Sequence, residues 1–143
     1  MRAILGVIKK ISRRIAERES KLFHLRNLMG AVVPEFDGMP KNPNVSSRVE
    51  RLSVSITDLE REISELKAIR VVCRIEFCEW LYEKISDDDV CSVLFYRYGL
   101  LKKFSVIASE LNYSESSVFR LHRTGLKILG VQVKLSDDYE FDA

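Results

Sequence analysis

From Val45 onward, Val45, Val49, Leu52, Ile56, Leu59, Ile63 and Leu66 recur at alternating steps of four and three. Positions spaced this way share one face only in a helix of about 3.6 residues per turn, so the segment is committed to a long helix with a narrow oily seam. Asn44 is suited to cap its start. The seam resumes after Arg70 at Cys73, Phe77 and Trp80, which predicts one helix from 45 to about 84. An earlier stripe, Ile4, Ile8, Ile11, Ile15, Leu22, Leu25 and Met29, predicts a first helix from about 2 to 29, with Gly30 as its stop. Residues 30–44 gather all three prolines and two of the six glycines, as a connection between two helices would.

The two helices are unequal, roughly 42 Å and roughly 60 Å at 1.5 Å per residue. Antiparallel pairing through the connection leaves residues 73–84 beyond the end of the first helix. That stretch, with Val71 and Val72 ahead of it, is apolar on more than one face, as expected of a helix entering a core supplied by the C-terminal third. The expected fold is all-α. A long antiparallel coiled-coil hairpin (1–86) is followed by a helix-turn-helix domain (87–130) and an acidic tail (131–143), which could open with a brief strand.

Composition narrows function. The chain of 143 residues is 46% hydrophobic and 31% charged, and its shortage of breakers argues against a turn-rich β fold. No apolar run approaches the roughly 18 residues of a membrane span, and charges interrupt the N-terminal stretch, so a soluble, unexported, cytoplasmic protein is expected. Cys73, Cys78 and Cys91 form no CxxC pair and the only histidines are His24 and His122, which leaves no metal-ligand spacing and fits small buried thiols in a reducing compartment. No phosphate-binding glycine loop and no nucleophile–base spacing is present, so no catalytic role, no cofactor and no metal is expected. The net charge of +2 conceals blocks: residues 1–27 carry eight Lys/Arg against two Asp/Glu, 94–134 seven against two, and 135–143 none against four. Such blocks suit a polyanionic partner or an ordinary solvated face.

Ser86-Asp87-Asp88-Asp89 supplies a helix break, an N-cap and an acidic first turn for a helix holding Val90, Val93, Leu94 and Tyr98 and ending at Gly99. Residues 104–123, FSVIASELNYSESSVFRLHR, fit a helix-turn-helix pattern. Ala108 is small where two helices cross, Asn112 tolerates the left-handed turn position, and Ile107, Leu111, Val118 and Leu121 fall on the inner faces. Ser114 is placed to cap a second helix running from Glu115 to Leu129, closed by Gly130. If Val118, Leu121 and Gly125 face inward, the outer face carries Ser116, Ser117, Arg120, Arg123, Thr124 and Lys127. Arg120 is suited to guanine, the serines to base edges or phosphate, and Arg123, Lys127, Lys102 and Lys103 to phosphate. Glu115 suits either cytosine or the helix N-terminus. His122 suits phosphate or packing beside Phe119.

The order of a GMP-containing loop, a coiled segment, VLFYRYG and IASELNYSESSVFRLHRTGLKIL resembles phage late-transcription regulators of the ArpU and RinA type. The C-terminal part of those regulators is similar to region four of bacterial sigma factors. The resemblance covers about residues 38–130. It implies an activator of late genes in a phage or prophage of a Gram-positive bacterial host, bound to promoter DNA. By position it puts Glu115, Ser116, Phe119 and Arg120 in base-reading slots, with Ser114 at the helix start.

Leu5, Val7, Phe23 and Leu28 widen the first stripe beyond what a lone hairpin needs, so a homo-oligomer through the coiled-coil helices is expected, with a dimer favoured. Direct contact with host RNA polymerase is a further expectation. The rival reading is a helical adaptor that binds a protein, such as polymerase or a repressor, without DNA affinity.

Overall fold

In the computed structural model, residues 2–32 and 43–130 are described, and their regular structure is helical throughout. The elements are α1 (Arg2–Val32), α2 (Pro43–Lys84), α3 (Asp88–Leu94), α4 (Phe104–Leu111) and α5 (Glu115–Ile128), with a π-helical turn over Phe95–Gly99 directly after α3. The expected strand after Gly130 lies outside the described residues. The chain divides into two compact units, one comprising Ile11–Ile69 and the other Met1–Lys10 with Arg70–Ala143.

In the first unit, Ile11, Ile15 and Leu22 of α1 are buried with Leu59 and Ile63 of α2, and Leu25, Ile56 and Leu66 pack at the margins. Ion pairs along the flanks fix the direction. Arg26 pairs with Glu60 and Glu19 with Lys67, so seven residues back along α1 correspond to seven residues forward along α2, and the two helices run antiparallel. Arg18 and Glu62 make a third pair. The apolar seam at heptad spacing was legible, but its ends were not. Gly30 lies inside α1, because a glycine weakens a helix without ending it, and Pro34 is the nearest strong stop signal. Asn44 lies inside the first turn of α2 and is no cap; Pro43 takes the opening position, where its missing N–H costs no hydrogen bond.

The second unit has a denser interior. Leu5 and Ile8 of α1, Phe77 and Leu81 of α2, Ile85, Val90, Cys91 and Leu94 around α3, Tyr98 of the π turn and Leu126 of α5 form one buried cluster. Burial of one such side chain stabilises by about 2 kcal/mol. Asp87 caps α3, its carboxylate accepting from the backbone N–H groups of Asp89 and Val90. Gly125 sets how closely α3 and α5 approach: a Cβ there would lie 2.6 Å from Leu94 Cδ1 and 2.8 Å from Val90 Cγ1.

Residues 73–84 enter this core through one face only. Phe77 and Leu81 are buried, whereas Val71, Val72, Ile75 and Tyr82 are each exposed by half or more. Gly99 ends the helical run as expected, though without a positive φ. It is the last residue of the π turn, its backbone is not left-handed, and its lack of a side chain makes room for the Phe95 ring, which a Cβ would meet at 3.0 Å. Its carbonyl accepts a 2.9 Å hydrogen bond from Arg74 Nε. The left-handed residue in this connection is Leu101, at φ 56°.

Candidate nucleic-acid interface

α4 and α5 are joined by three residues, Asn112, Tyr113 and Ser114. Asn112 adopts the left-handed conformation (φ 58°, ψ 40°), and the next N–H, of Tyr113, returns to the Ala108 carbonyl at 2.9 Å. Asparagine is among the few side chains that take this backbone at small cost. Val93, Ile107, Ala108 and Val118 close a second buried cluster beneath the turn, with half-buried Leu121 packed against both clusters.

Ser114 caps α5. Its Oγ accepts from Ser117 N–H at 3.2 Å and lies 2.8 Å from the Ser117 hydroxyl and 3.2 Å from that of Ser116. Ser114 and half-buried Ser117 therefore spend their hydroxyls on the helix start. Exposed Glu115 sits in the first turn, where a carboxylate is favoured by the helix dipole.

Beyond the cap, α5 turns one row outward. Ser116, Phe119, Arg120, Arg123, Thr124 and Lys127 line a shallow open concavity of about 410 Å³. Among the described residues no carboxylate lies within ion-pair distance of Arg120, Arg123 or Lys127. The Thr124 hydroxyl donates to the Arg120 carbonyl at 2.9 Å. Lys102 and Lys103 precede α4 and are not part of this concavity. Lys103 is exposed, whereas the ammonium of half-buried Lys102 already faces the Glu110 carboxylate at 3.7 Å.

His122 and Phe119 both pack against the Phe104 ring. His122 points inward, only 1% exposed, so it faces no external phosphate. Its Nε2 and the Tyr98 hydroxyl share a 2.6 Å hydrogen bond. Burial, reinforced by the Arg97 and Arg123 guanidiniums, lowers its pKa from 6.5 to about 4. Phe119 lies with its ring 4.7 Å from that of Phe104 and stays 37% exposed, so it braces α5 on α4 while presenting an edge outward. Phe104 also meets the His122 ring edge-on at 5.0 Å, and the Arg97 guanidinium lies 4.5 Å over its ring. Arg97 went unnoticed in the sequence because VLFYRYG reads as ordinary helix; its lodging between the Phe104 ring and the Lys102 carbonyl, which accepts from Nη1 at 3.0 Å, follows the π turn.

Among the described residues no group of three or more His, Cys, Asp or Glu side chains converges as a metal site would require, and no helix is long and apolar enough to cross a membrane. Compared with known protein families, curated proteins and solved structures, the chain matches none.

Proposed function

We propose that the protein is a sequence-specific DNA-binding regulator of transcription, with α4 and α5 as a helix-turn-helix and α5 as the helix that enters the major groove. The observation that carries this reading is the outward row on α5, in which Arg120, Arg123 and Lys127 are exposed without carboxylate partners among the described residues, on a helix whose other face is buried through Val118, His122, Gly125 and Leu126. A rigid helix face with convergent cations and short polar side chains is what phosphate contact and base-edge readout require. In this reading Arg120 and Ser116 meet base edges, Arg123, Thr124, Lys127 and Lys103 hold phosphates, and Lys102 contributes after leaving Glu110. The resemblance to ArpU and RinA regulators and to sigma region four makes the target promoter DNA in a bacterial cytoplasm and the outcome activation of late genes, with host polymerase as neighbour. Exposed Val7, Phe23 and Leu28 on α1 support self-association, which would pair two reading helices on a pseudo-palindromic site.

A salt series of binding to promoter-length duplex tests the reading. Affinity falls steeply with salt as counterions are released, by about tenfold or more between low and physiological salt for several phosphate contacts. Arg120→Ala weakens specific binding by roughly tenfold and spares nonspecific binding; Lys127→Ala weakens both alike.

A second reading, a helical adaptor without DNA affinity, is favoured by the open apolar row Val71, Val72, Ile75 and Tyr82 on α2. Absence of duplex binding at low salt selects it.

A further inference from the structure

The cationic row on α5 carries three cations without carboxylate partners among the described residues, and the chain itself carries a matching anion. Gly130 ends the described residues in a left-handed conformation (φ 72°) with its N–H bonded to the Lys127 carbonyl, a termination that turns the backbone off the helix axis. Thirteen residues follow. Lys134 is their last cation, and beyond it Asp137, Asp138, Glu140 and Asp142 bring four carboxylates.

We propose that this acidic segment, residues 137–142, docks on the Arg120–Arg123–Lys127 face of α5 and competes there with any polyanion from outside. Reach permits it: Arg120 lies about 15 Å back along the helix from Gly130, and eight extended residues span up to about 26 Å. Spacing permits it too. Asp138, Glu140 and Asp142 alternate with uncharged side chains, which sets carboxylates about 6.6 Å apart in an extended chain. One helical turn separates successive cations by about 5.4 Å. Each exposed pair is weak, but the short tether holds the segment at an effective concentration of order millimolar, so the pairs act together and occupy the face for a fraction of the time. The competitor role rests on the DNA reading above; the docking does not.

The full chain is compared with a variant carrying Asp137→Asn, Asp138→Asn, Glu140→Gln and Asp142→Asn. The first measurement is made without DNA: amide chemical shifts of α5 between Arg120 and Lys127 move on neutralisation at low salt, and the two proteins converge at high salt as the contact is screened. Unmoved α5 amides overturn the docking. The second measurement is duplex affinity at low salt, which rises by up to about twofold in the variant as the face is freed. Shifted amides with equal affinity in two binding proteins overturn the competition. Shifted amides with no duplex binding by either protein leave the docking standing and remove the DNA reading, whereas equal binding with unmoved amides does the reverse.

Discussion

The antiparallel helix pair of Ile11–Ile69 and the core built around Phe77 and Leu94 solve the same problem by different means. In the pair, each helix buries one stripe, its buried residues retain 3–8% exposure, and ion pairs line the flanks. In the core, Leu81, Val93, Leu94, Ile107 and Val118 have no exposure, Gly125 lets two helices nearly touch, and a histidine is sealed in with its hydrogen-bond partner. A seam touches its surroundings on one side, while a closed core touches them on all sides. The same substitution should therefore cost more in the core, the part that carries α5.

Truncating matched leucines gives the largest expected effect. Leu81→Ala removes a side chain enclosed by neighbours and should cost about 4 kcal/mol, whereas Leu59→Ala, at the edge of a seam that can relax, should cost about 2 kcal/mol. Urea unfolding of each variant, with hydrogen exchange assigning the loss to its own unit, measures both. Equal costs would erase the distinction between seam and core.

The difference between the two regions also explains what could be read from the residues alone. The stripes of α1 and α2, the capping serine before Glu115 and the left-handed Asn112 are local: each depends on residues within a few positions, so spacing and residue type suffice. Gly125, His122, Gly99 and Arg97 act largely through distant partners, up to 35 residues away, such as Val90 and Leu94 against Gly125 and Arg74 against Gly99. In the sequence Gly99 therefore showed where its helix ends but not the room it makes for Phe95, and His122 stayed open between phosphate contact and packing. The outward face of α5 followed from periodicity once its inward face was assigned. That Lys102 already pairs with Glu110 could not be read before the turn into α4 was known.

His122 offers a finer probe of the sealed core. Unfolded, its imidazole titrates near 6.5; folded, near 4. Above pH 6.5 both states are neutral and its contribution is at full strength. As pH falls from 6.5 toward 4 the unfolded chain takes up a proton that the folded chain refuses, so about 3 kcal/mol of stability is lost, and the loss levels off below 4. His122→Gln removes the titration. The stability difference between native chain and variant should therefore narrow across that window, as followed by urea unfolding at closely spaced pH values. A constant difference would mean that the ring is reached by solvent and the core is not sealed.

The smallest effect belongs to the seam. Arg18 and Glu62 are partly exposed at the flank of the helix pair, and their attraction is offset by hydration and by the entropy of ordering two flexible side chains. Glu62→Gln should cost about 0.5 kcal/mol at low salt, shrinking as salt rises and the pair is screened. The comparison turns on the ratio between this loss and that of Leu59→Ala in the same unit. If the apolar stripe holds the helices and the charges only set their direction and register, the leucine loss exceeds the ion-pair loss several-fold and is indifferent to salt. A Glu62→Gln loss equal to that of Leu59→Ala, fading together with it in high salt, would instead make the helix pair an electrostatic assembly.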